Sequence, residues 1–394
     1  MNSTAPRTDG PVLMIPLTGS IDSTNAPETE RLIRSAIAGH PDETVVLDCD
    51  KLDYITSAGL RVILRLKQDY DSTCLVNVHS QVYEVLEMTG FTELMHVQKA
   101  YRVISVEGCE VIGHGANGKV YRIDQDTIVK VYRHADALPE IHRERELART
   151  AFIAGIPTAI PYDVVRIEGG AYGSVFELLN ATSFAKLLIN KEKSIDEVAR
   201  MNIDLLKLIH SKIVKSSLIP SMKAVALKWA DFDRDYLPAD QGDKLHALID
   251  AVPEDAHIVH GDYHVKNIML QNGEALLIDM DTLSHGHPVF ELGSMYNAYE
   301  GFGCVDHGVV ERFLGIDWDT AGAFWRKSLA LYLGTDDEAV LNSVENKAKI
   351  ISFTRVLRRA IRRGGMDSPE ERPVIDYSKA MLADLLARTD TLLF

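Results

Sequence analysis

The chain has 394 residues, 46% of them hydrophobic and 25% charged, and a formal net charge of −15. That length exceeds one ordinary core and fits two domains, and the balance is that of a globular chain able to bury a normal core. The acidic balance argues against nucleic acid as a partner. No apolar run reaches the roughly 18 residues needed to span a bilayer, and the opening MNSTAPRTDG carries no apolar signal region, so a cytoplasmic location without membrane contact is expected.

In the first hundred residues, β-branched runs alternate with amphipathic ones. VLMIPLTGSI reads as a strand, and PETERLIRSAIAG as a helix with Leu32, Ile33, Ala36 and Ile37 on one side. TVVLDC is a buried strand, and SAGLRVILRLKQDY a helix with Leu60, Ile63, Leu64 and Leu66 inward. CLVNVH, QVYEVLEMTG and MHVQ continue as strand, helix and strand, which predicts an α/β layer ending near residue 100. Cys49, Cys74, Cys109 and Cys304 are widely spaced and form no C-x-x-C; three lie in strand-like runs, as buried reduced thiols do.

From Tyr101 to Tyr132 three strand-like runs follow, YRVISV, KVYRID and TIVKVY, separated by Gly- or Asp-containing turns. A helix is expected over roughly 139–154, then β signal at YDVVRI and GSVFELL. After about residue 195 the pattern is mostly helical, broken by HIVHGDYHVKNIMLQNGEALLIDMD. A β-rich lobe (about 106–180) and a helical lobe (about 181–394) describe one bilobal α+β domain, 106–394, after an α/β domain, 1–105. The run Arg355, Arg358, Arg359, Arg362, Arg363 lies on an expected helix and reads as a solvated face or an anion-docking surface.

In VIGHGANGKVYRI, Gly113, Gly115 and Gly118 fit G-x-G-x-x-G. A dinucleotide fingerprint needs a helix next, whereas strands follow here; a Walker A loop needs a hydroxyl where Val120 stands. The surviving reading is a glycine hairpin whose amides approach ATP phosphates. That reading calls for a lysine on the next strand, and Lys130 stands in TIVKVY among apolar neighbours, where its ammonium needs anionic partners. Glu144 and Glu146 on the following helix are the candidates, Glu144 favoured. In IVHGDYHVKNIML, His260, Asp262 and Asn267 keep the H-x-D-x-x-x-x-N spacing of a kinase catalytic loop, and Asp279 follows at the end of an apolar strand. A carboxylate orienting a hydroxyl, an amide and a second carboxylate on Mg2+ would share one site. His257, His260, His264, His285 and His287 do not fall at zinc-ligand spacings.

HGDYHVKNIML followed by LLIDMDTLSHGHP resembles the aminoglycoside phosphotransferase/choline kinase family, whose members carry HGDxHxxN and a following L-I-D. The resemblance covers about residues 108–394. It implies ATP and Mg2+ as cofactors, Asp262 as catalytic base, Asn267 and Asp279 on the metal, Lys130 on the phosphates and Asp281 in support. In PVFELGSM, Glu291 stands where the family has an aspartate bracing the catalytic loop. LTGSID, LDCDKLDYITSAGLRVIL and VLEMTGFTEL resemble a STAS domain, the anti-sigma factor antagonist fold, over about residues 10–100. That resemblance implies a protein partner and a phosphorylatable serine at Ser57, where Thr56 and Ala58 replace the usual flanking residues. A phosphate there would meet the helix N-terminus, a gain of about 0.3–1 kcal/mol; the other reading makes Ser57 the helix cap.

Together these readings predict a STAS-like α/β domain followed by a protein-kinase-like α+β domain. The expected function is Mg-ATP-dependent phosphate transfer to a hydroxyl of a small molecule or a protein serine, with the first domain regulating or docking. The alternative is a non-catalytic, nucleotide-binding partner-switching regulator.

Overall fold

The computed structural model describes residues 12–40, 43–115, 118–134 and 137–394. The chain divides into a first unit, Met1–Glu107 with Val164–Gly170, and a second, Gly108–Asp163 with Ala171–Phe394.

In the first unit, strands and helices alternate as β1 (Val12–Ile21), α1 (Ala26–Ile37), β2 (Thr44–Ile55), α2 (Ser57–Asp69), β3 (Cys74–Val78), α3 (Ser80–Met88), α4 (Phe91–Leu94), β4 (Val97–Lys99) and β5 (Arg102–Ile104). The first four strands pair in parallel in the order β1-β2-β3-β4. Parallel neighbours need crossovers, which the intervening helices provide. Leu17, Ile21, Val45 and Leu47 of the sheet pack with Ile33, Ile37, Leu60, Ile63 and Leu66 of the helices.

Two helix faces differ from the sequence pattern. α1 buries Ala26, Ile33 and Ile37, whereas Leu32 is 54% exposed and Ala36 is also exposed. Successive residues lie about 100° apart around a helix, so the narrow stripe through Ile33 and Ile37 turns Leu32 and Ala36 outward. α2 buries Val62 beside Leu60, Ile63 and Leu66 and leaves Leu64 half-buried.

From Gly108 on, the chain forms β6 (Glu110–His114), β7 (Gly118–Arg122), β8 (Thr127–Tyr132), α5 (Leu138–Ile153), β9 (Asp163–Ile167), β10 (Tyr172–Glu177), β11 (Thr182–Ser183), α6 (Phe184–Ile189), α7 (Ile195–His210), α8 (Met222–Arg234), α9 (Ala239–Asp250), β12 (Ile258–Val259), β13 (Ile268–Gln271), β14 (Glu274–Leu277), β15 (Ser284–His285), α10 (Pro288–Tyr299), a 3-10 turn (Gly301–Gly303), α11 (Gly308–Leu314), α12 (Trp318–Leu333), α13 (Glu338–Gly364) and α14 (Arg372–Arg388). From Val164 on, β9 belongs with the first unit, where it pairs in parallel with β5.

β6, β7, β8 and β10 pair antiparallel, with β8 between β7 and β10. β6 is a strand where the sequence suggested only a glycine-rich turn. Val111 and Ile112 are about equally exposed, 40% and 42%, so the segment shows no alternation toward a core. In the helical part, α10 is buried from Val289 to Tyr299, and Tyr263, Phe290, Tyr299, Phe324, Trp325 and Phe353 are fully buried in one core. Among the described residues, no helix is long and apolar enough to cross a membrane.

Candidate active site

Lys130 stands opposite Val120 on one side and Ser174 on the other, inside the sheet and away from its edges. Its ammonium lies 2.9 and 3.0 Å from the two Glu144 oxygens and 3.0 Å from Asp279 Oδ1. Burial pushes this ammonium toward deprotonation, but the charges of Asp279 and Glu144 outweigh it and hold the lysine charged well above its ordinary range. Glu144 is buried and also accepts a hydrogen bond of 2.5 Å from the Tyr132 hydroxyl, while Glu146 is largely exposed. Helix phase makes that distinction: α5 turns Glu144, with Ile141 and Ala148, toward the sheet.

The loop from His260 to Asn267 is braced from three sides. Glu291, fully buried on α10, accepts the backbone N–H groups of His260 and Gly261, the latter at 3.0 Å. The longer side chain thus holds the loop. Gly261 has φ +81°, and a Cβ there would lie 2.9 Å from Thr282 O, so the turn before Asp262 requires glycine. Ser294 Oγ donates to Gly261 O at 2.7 Å, and Arg355 donates to the same oxygen at 3.0 Å and to Ser294 Oγ at 2.9 Å.

Asp262 has two charged or polar neighbours that sequence reading did not assign to it. His264 Nε2 lies 3.4 Å from one carboxylate oxygen, and Arg355 Nη2 lies 3.5 Å from the other. Burial alone pushes Asp262 up. The His264 hydrogen bond and charge, then Arg355 and His260, more than reverse that and hold it ionised well below the usual carboxylate range. Arg355, read from the sequence as part of a solvated or docking face, is therefore partly a neighbour of Asp262. The HGDxHxxN spacing signalled His264; no local signal marks Arg355 apart from the arginines around it.

The β13–β14 hairpin joins the remaining groups. Ile278 N donates to Asn267 O at 2.9 Å, so register sets Asn267 beside the segment that ends in Asp279. Asn267 Nδ2 donates to Asp262 O at 3.0 Å, which leaves its amide oxygen as the remaining acceptor. Asp279 has φ 65°, a left-handed turn that brings its carboxylate to Lys130. Burial, then the Asp279 charge, pushes Asp281 up to about 7. Crowded carboxylates of this kind favour a cation between them. Among the described residues, no three or more His, Cys, Asp or Glu form a metal cage. A few hard oxygens without a cage fit Mg2+ held jointly by protein, phosphates and water.

The described glycines of the β6–β7 hairpin are tied together by Gly115 N donating to Gly118 O at 2.9 Å. A Cβ on Gly118 would lie 2.1 Å from Val131 O, so that glycine lets β7 run against β8. The hairpin tip, residues 116–117, lies outside the described residues. In the first unit, Ser57 is exposed and is the first residue of α2. The cap is Thr56, whose hydroxyl accepts the Ala58 N–H at 3.3 Å, so the reading of Ser57 as the cap is corrected.

Residues 108–324, more than half of the chain, match the family model described as "Phosphotransferase enzyme family", and residues 3–103 match that of the STAS domain. A Bordetella bronchiseptica protein named as an anti-sigma factor antagonist, BtrV, is 36% identical over 101 residues, 25% of this chain and 85% of that protein. A solved thermostable mutant of aminoglycoside phosphotransferase APH(4)-Ia, in a ternary complex with AMP-PNP and hygromycin B, is 12% identical with a TM-score of 0.50, covering 72% of this chain and 94% of that one. The gentamicin complex of APH(2″)-IIa is 15% identical with a TM-score of 0.45, covering 80% and 97%. At 12% identity the likeness to the APH(4)-Ia structure is one of fold. The chain belongs to the phosphotransferase enzyme family, and it carries a STAS domain ahead of that kinase-like fold.

Proposed function

We propose that the second unit transfers the γ-phosphate of ATP, with Mg2+, to the hydroxyl of a small molecule or a protein serine, and that the STAS domain regulates it or docks a protein partner. The observation that carries this reading is the Lys130 ammonium held between Glu144 and Asp279, which ties the β-rich sheet to the end of the β13–β14 hairpin. In phosphoryl transfer the protein mainly positions groups and neutralises charge.

Lys130 and the amides around Gly113, Gly115 and Gly118 would neutralise the triphosphate. Asn267 and Asp279, with Asp281 beside them, would hold Mg2+, which supplies further charge neutralisation when bound. Asp262 Oδ orients the acceptor hydroxyl and takes its proton; being a weak base, it contributes mainly by orientation. Exclusion of other geometries falls to Glu291, Ser294 and Arg355, which hold the loop. Among serines of this chain, Ser57 is the proposed acceptor, being exposed at the N-terminus of α2, where phosphate meets free amides.

The test is incubation of the whole protein with Mg-ATP, with ADP release and intact mass followed in wild type and Asp262→Asn. Wild type should release ADP, and the variant should lose at least about a hundredfold while binding an ATP analogue equally well. Equal turnover in the two proteins would remove Asp262 from its role. Added phosphate on Ser57 in wild type alone would identify a protein serine as acceptor; ADP formation without added phosphate would point to a small molecule or water.

A further inference from the structure

Arg355, Arg358, Arg359, Arg362 and Arg363 recur on α13 at spacings that put them along one side of the helix. The row starts at the Asp262 carboxylate, 3.5 Å from Arg355, and extends about 12 Å along the helix at its ordinary rise. Three of the guanidiniums lie over aromatic rings. Arg355 is 5.7 Å from the Trp229 ring centre, Arg358 is 5.8 Å from that of Phe232, and Arg359 is 4.3 Å from that of Phe302. The first two rings come from α8 and the third from the 3-10 turn after α10. A ring face holds the plane of a guanidinium and accepts no directed hydrogen bond, so the N–H edges stay available to an anion.

Close counter-charge is confined to the two ends of the row, Asp262 at Arg355 and Glu371 at Arg363. Among the described residues, no carboxylate oxygen lies within 4.0 Å of Arg358, Arg359 or Arg362, and Arg363 has only Glu371 at 3.9 Å. Asp233 of α8 is fully buried with both carboxylate oxygens lacking a hydrogen-bond partner. Burial pushes it up to about 9, against the opposing charges of Arg358 and Lys379, which weakens it as a counter-charge for the row. Arg358 is half-buried and Arg359, Arg362 and Arg363 are exposed, so the row presents its guanidiniums where an anion from solvent can reach them.

We infer that this arginine row selects the acceptor: the hydroxyl compound that reaches Asp262 carries a carboxylate or phosphate group, which Arg358 and Arg359 take up. The inference rests on the phosphotransferase reading above. The acceptor oxygen forms its bond to the γ-phosphorus as the bond to the ADP oxygen breaks, and the hydroxyl proton passes to Asp262. A polycationic acceptor would instead meet a row of like charges beside that carboxylate.

The test titrates the full chain, with and without a non-hydrolysable ATP analogue, with 3-phosphoglycerate as the anionic hydroxyl probe and kanamycin as the polycationic one. Saturable binding of 3-phosphoglycerate should weaken at least about tenfold in Arg358→Glu/Arg359→Glu and in Arg358→Gln/Arg359→Gln, with melting temperatures unchanged in the glutamine pair. Kanamycin should not bind wild type measurably. The inference is overturned if 3-phosphoglycerate fails to saturate by about 10 mM, if the arginine variants bind it as wild type does, or if kanamycin binds more tightly. Loss of ADP release in Asp262→Asn without anion binding would remove this inference and leave the phosphotransferase reading standing. Anion binding without nucleotide binding or ADP release would do the reverse.

Discussion

Arg355 Nη2 lies 3.5 Å from Asp262 Oδ1, while Nη1 of the same guanidinium donates to Gly261 O at 3.0 Å. One fork therefore holds both the carboxylate and the backbone that carries it. Replacing Arg355 by alanine should lower turnover by roughly 10- to 100-fold while ATP-analogue affinity changes little. Lysine should recover only part, because a point charge cannot reproduce the fork. Removing a positive neighbour raises the Asp262 pKa, so the acid limb of the kcat–pH profile should move to higher pH. An unmoved limb would reduce Arg355 to a packing role.

Glu291 accepts two buried backbone N–H groups at the start of the same loop. Alanine there leaves both unpaired, at about 1–3 kcal/mol each. Thermal denaturation should show a melting point lower by on the order of 10 °C, given about 2–4 °C per kcal/mol for a unit of this size. Aspartate should retain part of the stability. A melting point unchanged in Glu291→Ala would mean that water replaces the carboxylate.

Asp233 makes stability depend on pH in a direction unusual for a carboxylate. Its folded pKa of about 9 lies above the ordinary value of 3.8, with burial as the first cause. Between those values the folded chain binds a proton that the unfolded chain has released, so this group's contribution falls as pH rises, by up to about 1.4 kcal/mol per unit. Asp233→Asn keeps the shape without that proton. Its melting point relative to wild type should climb from near pH 4 toward pH 9. A constant difference across that range would mean that Asp233 stays ionised in the fold.

At Gly118 the constraint is steric. A methyl group would lie 2.1 Å from Val131 O, a backbone atom that cannot swing away. Gly118→Ala should force β7 from β8, lowering stability by about 1–3 kcal/mol and weakening ATP-analogue affinity as Lys130 is displaced. Gly113 makes a useful control, because a Cβ there meets Val120 at an ordinary 3.5 Å. Equal effects at the two glycines would count against a steric origin.

What could be read from local spacing was legible in the sequence. Lys130 in an apolar strand, the H-x-D-x-x-x-x-N loop and Asp279 after a strand each lie within a few residues of the features that reveal them. Period also showed the strand–helix alternation of the first unit, because burial of one face repeats along the chain. It misjudged Leu32, since a helix stripe one residue narrower than the apolar run leaves that side chain outside. The reading of Ser57 as the cap missed Thr56 one residue earlier, because either hydroxyl suits a cap and only the backbone path out of β2 makes it Thr56.

The sequence favoured Glu144 over Glu146 without excluding the latter; the structure pairs Lys130 with Glu144, and the meeting of Arg355 with Asp262 belongs to the tertiary structure alone. Glu144 and Glu146 differ by two residues, a rotation that only the packing of α5 on the sheet converts into inside and outside. Arg355 donates to a backbone oxygen 94 residues earlier in the chain, through the packing of α13 on α10 and α8. By itself the sequence determined the candidate residues for phosphate handling, because their spacing is encoded locally. Which charges surround Asp262 was decided only when distant helices packed together, because long-range contacts leave no spacing to read.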